Sequence, residues 1–402
     1  MAQPLGAFPY PVGLMLLPDD RDPQVEAVRE GLLRGRLPDR WPPALEAHRL
    51  AHAGAIAAAV EAIADDDAYA RYNRWVLGAT EIDAGQMVSE LPVHCRTLVD
   101  VITYMNGEAD EPPALDAKAD AVIAALVLAA QASCSLTDGH VEDAVTLLDR
   151  AAERVERSAP AFAAILRGNA GTVIHEHGGD SGSALRRLVA AAEQLDGTDL
   201  PVNAAEIHYQ IGAIRHELAA ARGTALQPAM HHYYTCLQLL TREDSPYLWA
   251  SAQMNLSAAY LAGAMEQASD QLRMGIAIQS LRAALEVFTR EQYPRQWATA
   301  TLNLANALVY TPSNKQGDNL VEAVELYEQV LDGRDRGSDP LGRARVLANQ
   351  GNVLAHLGIF SQAKAKLYEA RYLFEEALDH DSVLTVRAVF DEIVKASIRV
   401  EA

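Results

Sequence analysis

Cysteine is scarce in this 402-residue chain: Cys95, Cys134 and Cys236 are far apart, odd in number and form no CxxC pair. A disulfide framework is therefore not expected, and a reducing cytoplasm suits the composition. Aromatic residues make up only 6%. Long Val/Ile/Thr-rich alternation, the mark of a sheet, is missing. No run of about 18 apolar residues occurs, because the alanine-rich stretches are interrupted by charges or histidines, so no membrane span is predicted. The apolar run near the start lacks a basic region before it and a small-residue cleavage site after it, unlike a signal peptide. Basic residues are outnumbered, 34 against 54 acidic, for a net charge of −20. Such a chain repels phosphate, which argues against nucleic-acid and anionic-membrane partners; the plain use of the excess is solubility.

Catalytic signatures are missing as well. The chain has no GxxxxGK[ST] loop, no GxGxxG after a strand, no GxSxG elbow and no HExxH helix. Four histidine groups merit weighing. His48 and His52 lie four apart on one predicted helix face and could grip a metal, but no third ligand is indicated nearby. His175, Glu176, His177 and Asp180 fall where a helix should end before Gly178-Gly179, which suits histidine and the helix dipole. His231 and His232 are adjacent and should point to different sides of a helix. His94-Cys95 is a poor dyad, because neighbours rarely align for proton transfer. The triplet Asp65-Asp66-Asp67 is expected to form a turn and a helix N-cap. No catalytic, cofactor or metal residues are assigned, and the chain is not expected to be an enzyme.

What is abundant is alanine, which costs least to place in a helix, and it recurs in a pattern. Six segments share an alanine, a large residue four on, and a small or β-branched residue three further. They are Ala144-Leu148-Ala151, Ala184-Leu188-Ala191, Ala229-Tyr233-Cys236, Ala277-Leu281-Ala284, Ala323-Tyr327-Val330 and Ala363-Leu367-Ala370. Steps of four and three align on one helix stripe. Successive first alanines are 40, 45, 48, 46 and 40 residues apart. A second landmark precedes each of the last five: Asn169-Ala170-Gly171, Gln210-Ile211-Gly212, Asn255-Leu256-Ser257, Asn303-Leu304-Ala305 and Asn349-Gln350-Gly351. Its third member is always tiny, which predicts that another helix crosses there.

Each unit thus reads as two helices joined by a turn. This resembles the tetratricopeptide repeat, with its mid-helix Leu-Gly pair and later small-x3-aromatic stripe, over roughly residues 117 to 378. YPRQWATATLNLANAL and GDNLVEAVELYEQVL look especially like long-period bacterial arrays. The family period is about 34 residues, and these units are longer. The extra length is predicted as loops or lengthened turns at AAARGTALQP, MEQASDQLRMG and YTPSNKQGDN. Trp249 and Trp297 sit a turn earlier than the family tryptophan and are expected in the inter-repeat core. HEAT-like repeats have a similar period and remain the alternative.

The expected fold is all-α: a right-handed superhelix of stacked helix–turn–helix repeats with an irregular helical N-terminal region. Residues 1–115 form that region, with a Pro/Asp-rich opening and helices over PALEAHRLAHAGAIAAAVEAI, DAYARYNRWVL and CRTLVDVITYM. Residues 116–380 form about six repeats, and 381–402 cap the array with a helix. In tetratricopeptide proteins the first helix of each pair lines the groove. The resemblance therefore implies a partner-binding face at Asn255, Asn303, Asn306, Tyr310, Arg345, Asn349, Asn352 and His356. Ser251 and Thr299 join it, as do His175, Glu206, Tyr209 and His216 in earlier units. Asparagine amides can bond an extended peptide backbone or, equally, a neighbouring repeat. The face lacks the lysines that chaperone-tail binders use for carboxylates. The expected function is a cytoplasmic scaffold or adaptor for a protein or peptide; the alternatives are an assembly or maturation helper for an enzyme complex and a peptide-responsive sensor.

Overall fold

The computed structural model describes residues 3–18, 22–79, 84–116, 119–262, 269–311, 315–334 and 336–401. All regular structure among them is helical, apart from one isolated bridge between Gln3 and Leu17. The chain divides into two compact units, residues 1–218 and 219–402, with the division inside a helix.

In the first unit the opening is core, not a loose leader to the helices. Leu5, Phe8, Val12 and Leu14 to Leu17 are buried, although their irregular backbone gives no helical period. They are held by a later helix: Tyr72 Oη donates to the Leu14 carbonyl at 3.0 Å, and the Asn73 amide both accepts from Leu16 N at 2.7 Å and donates to Leu16 O at 2.9 Å. The helices of this region are α1 (Pro23–Leu33), α2 (Glu46–His52), α3 (Ile56–Glu61), α4 (Ala68–Val76), α5 (Ala84–Glu90) and α6 (Val93–Met105). The single helix expected over 43–63 is in fact α2 and α3. Gly54, at φ 76°, takes a left-handed conformation that ends α2. Asp67 caps α4 through Ala70 N at 2.8 Å, as its place after two other aspartates predicts.

The repeats begin with α7 (Ala121–Thr137) and α8 (Val141–Val155), then α9 (Pro160–Glu176) and α10 (Ser181–Leu195), and continue into α11 (Pro201–Arg222). The N-terminal region packs directly on these helices. α1 contacts α9, and Gly35 and Leu37 exchange hydrogen bonds with Asp199, each at 2.7 Å.

The second unit holds α12 (Gln227–Leu239), α13 (Pro246–Leu261), α14 (Ser269–Leu285), α15 (Pro294–Tyr310), α16 (Gln316–Asp332), α17 (Pro340–His356), α18 (Phe360–Glu376) and α19 (His380–Glu401). Consecutive helices pack pairwise. The first helices also touch in series, α13 to α15 to α17 to α19, which makes them one layer. Extra repeat length lies more in helix than was expected. α11 runs on to Arg222, α14 takes in QLRMG, and α16 starts at Gln316; residues 265–268 and 312–314 of the expected loops fall outside the described ones.

Every residue of the six stripes is buried, none more than 5% exposed. Their small members let the paired helix close in, and the reason is visible at two glycines. A Cβ on Gly171 would stand 2.8 Å from Leu188 Cγ, and one on Gly351 would stand 2.7 Å from Leu367 Cγ. In these two repeats the tiny residue of the first helix receives the large stripe residue of its own second helix. Five first helices also open with proline at their first position: Pro160, Pro201, Pro246, Pro294 and Pro340. That site tolerates a missing N–H and favours the fixed φ. Each proline lies nine residues before the Asn/Gln landmark, a regularity that sharpens the repeat frame. The second helices are laced by ion pairs across repeats, Arg187–Asp149 at 2.6 Å, Arg282–Glu322 at 2.9 Å and Lys366–Glu328 at 2.7 Å. Such partly exposed pairs add little stability each, but they fix register between neighbours.

Candidate interaction face

On α15 the residues Asn303, Asn306 and Tyr310 recur at steps of three and four, so they share a stripe. Asn349, Asn352 and His356 repeat the arrangement on α17. Between the helices Asn349 Nδ2 donates to Asn306 Oδ1 at 3.2 Å, and the buried Tyr327 hydroxyl of α16 donates to the same oxygen at 2.7 Å. Burial pushes the Tyr327 hydroxyl up from its ordinary range, so it stays a donor. Asn306 is therefore a structural joint between three helices. Asn303 and Asn352 are half-buried and make no side-chain hydrogen bond among the described residues. Tyr310 is 62% exposed.

Asn255 of α13 is half-buried and already engaged. Ser251 is buried, and Thr299 turns its hydroxyl back to the Arg295 carbonyl at 3.0 Å. Arg345 and His356 are exposed. Arg345 adds a smaller pull on Asp379, whose carboxyl is held below its ordinary range chiefly by the Ser382 backbone N–H and hydroxyl. Gln296 of α15 donates to the Tyr247 hydroxyl of α13 at 3.0 Å, a tie between two neighbouring first helices. Trp249 and Trp297 are half-buried against the Ala250, Ala284 and Phe288 cluster, and Arg290 lies over the Trp297 ring at 5.4 Å.

In the first unit, Glu206 is accessible yet crowded. Its carboxyl is raised first by that crowding and then by the Glu176 charge. His216 is half-buried, and loss of water lowers its pKa. The His175 cluster is a helix end: His175 lies 3.7 Å from Glu217, His177 Nδ1 meets the Val173 carbonyl at 3.0 Å, and Asp180 caps α10 through Ser183 N at 2.7 Å. Contrary to the expectation from helical geometry, the adjacent His231 and His232 rings meet edge to face, with centroids 5.5 Å apart. His48 and His52 are not brought together. His48 is 2% exposed, whereas His52 is exposed and packs edge-on to Phe8. Burial pushes the Cys95 thiol up to about 11, which leaves it protonated beside His94. Among the described residues no group of three or more His, Cys, Asp or Glu could hold a metal, and no helix is long and apolar enough to cross a membrane.

The helix pairs, the tiny-to-large contacts and the layered first helices together define the architecture. It is a tetratricopeptide-type array.

No family model matches the chain, and no curated protein matches it. Among solved structures it is similar to a signal-transduction ATPase with numerous domains and a tetratricopeptide repeat sensor from Pyrococcus horikoshii. Identity is 15%, the match covers 83% of this chain and 46% of that one, and the TM-score is 0.48. The chain therefore spans about half the length of that protein. A looser likeness is to the TPR2AB domain of yeast Sti1 in its complex with pHSP90, at 15% identity, 67% and 98% coverage and a TM-score of 0.27. The architecture rests on the helix pairing above, not on these overlaps.

Proposed function

We propose that this chain is a non-catalytic scaffold or adaptor that holds an extended segment of a protein partner along the first-helix face of α13, α15 and α17. The observation that carries this reading is the pair of uncommitted amides, Asn303 and Asn352, on either side of the Asn306–Asn349 joint, with Tyr310 exposed beside them. An amide presents two donors and an acceptor, which matches the alternating N–H and C=O groups of an extended backbone. Arg345 would add a charged contact to a partner carboxylate. Asn255, Asn306 and Asn349 serve by holding the face in shape. Three free cysteines suit work in a reducing cytoplasm.

The test places a photo-crosslinking amino acid at Tyr310 and, as a control on a second helix, at Glu325. The reading expects a discrete partner captured from Tyr310 and not from Glu325. Joint substitution of Asn303, Arg345 and Asn352 by alanine should lower that capture by about a hundredfold while the helical signal and melting are kept, if each contact is worth about 1 kcal/mol. Undiminished capture by the folded triple variant would refute the proposed face.

A further inference from the structure

Charge in the second unit is sorted by layer. α13, α15 and α17 carry none of the chain's 54 acidic residues, although they carry Arg295, Arg343 and Arg345. α16, the second helix beside α15, holds Asp318, Glu322, Glu325, Glu328 and Asp332. Glu322 is tied to Arg282 of α14 and Glu328 to Lys366 of α18, which places both on the second-helix layer. In a chain of net charge −20, these three first helices thus have only positive charges of their own.

The arginines differ in what the fold asks of them. Arg343 donates to Glu369 and to the Leu331 and Arg334 carbonyls, so it is spent inside the array. Arg295 and Arg345 are exposed, and among the described residues their guanidinium groups make no hydrogen bond or ion pair. Asp379 feels Arg345 only as a lesser influence, because its two oxygens accept from the Ser382 N–H and hydroxyl. Both arginines fall on the face already described. Arg295 leads to Thr299, Asn303, Asn306 and Tyr310 at helical steps of four, four, three and four, and Arg345 leads to Asn349, Asn352 and His356 at steps of four, three and four.

Guanidinium forks match carboxylates, and the amides of Asn303 and Asn352 match peptide groups. Packed helices stand about 8–10 Å apart, so the three first helices span about 20 Å, the reach of about six extended residues. A segment of that length meets both kinds of group. Arginines on a layer free of carboxylates repel a basic segment and favour an acidic one. A phosphate polymer would satisfy the arginines but lacks the peptide groups that the amides match.

Resting on the scaffold reading above, we propose that this face takes an acidic segment internal to its partner, with aspartate or glutamate side chains at Arg295 and Arg345 and the intervening backbone at Asn303 and Asn352. The probe is a fluorescent decapeptide of alternating glutamate and threonine, blocked at both ends so that it has no terminal carboxylate. It is titrated into the full chain and followed by anisotropy. Saturable binding is expected, weakening several-fold between about 50 and about 500 mM salt. The counterpart with glutamine in place of glutamate should bind about tenfold more weakly or worse. Joint Arg295→Ala and Arg345→Ala, both at exposed positions, should weaken the acidic peptide by a similar factor, whereas Lys364→Ala on the second helix α18 should leave it unchanged. Equal binding of the glutamine peptide would overturn the acidic preference and leave the scaffold reading to the crosslink at Tyr310. Absence of saturable binding at millimolar acidic peptide, undiminished binding by the double arginine variant, or equally strong binding of single-stranded DNA of the same charge would also overturn the proposal.

Discussion

Glycine at the centre of a first helix costs about 1 kcal/mol of helix propensity relative to alanine, yet Gly171 and Gly351 occupy that place. Contact with the second helix reverses the usual preference. At Gly351 an added methyl would meet Leu367 Cγ at 2.7 Å and the Ala363 carbonyl at 3.3 Å. Gly351→Ala should therefore lower stability by about 1–3 kcal/mol through overpacking. Gly275, inside α14, has nothing within 4 Å of its would-be Cβ, so Gly275→Ala should raise stability by about 0.5–1 kcal/mol. Urea midpoints of the two variants, moving in opposite directions from the parent, are the check. His48 gives a second prediction at this scale. Its folded pKa lies at about 4 against an ordinary 6.5, so the unfolded chain binds the proton first as pH falls. Stability is thus fully kept above about pH 6.5 and lost as pH drops toward 4. The loss reaches about 2 kcal/mol at pH 5, since each unit in that window is worth about 1.4 kcal/mol. Chemical denaturation at pH 7.5 and 5 should show that increment in the parent and not in His48→Leu; an unchanged increment would assign the effect elsewhere.

Among the elements, α19 covers the last hairpin by burying Val383, Val386 and Ile393 against α17 and α18, while Leu384 and Val394 face outward. Removing residues after Asp379 should cost on the order of 5 kcal/mol, from three aliphatic side chains and the surface they covered. A lower melting temperature together with new binding of a hydrophobic dye is the expected result; unchanged melting would show that the helix is not a cap. Helix pairs were legible in the sequence, because a stripe of small and large residues at steps of four and three is a local signal. The break at Gly54 was not, since alanine favours helix on both sides of it and only the positive φ marks the turn. Nor was the burial of the opening segment, whose partners Tyr72 and Asn73 lie far along the chain. The same limit applies to the candidate face. Asn303, Asn306, Asn349 and Asn352 look alike in sequence, and only the Tyr327 hydroxyl arriving from α16 separates the structural amides from the uncommitted ones. The proline nine residues before each Asn/Gln landmark was in plain view and marks where those five first helices start.

Taken as a whole molecule, the chain invests its regularity in packing, and the proposed recognition would fall to a few polar side chains on one layer. Its formal net charge is −20, and the first-helix face contributes Arg345 as an accessible positive group. That face exists only if each first helix is held by its second helix through a size match, tiny against large. A double-mutant cycle on Gly351 and Leu367, read by urea denaturation of the full chain, measures the match itself. The cost of Gly351→Ala should largely vanish when Leu367 is already alanine, giving a coupling of at least about 1 kcal/mol. Strictly additive effects would mean that the two residues do not pack as described, and the basis of the array would fall with them.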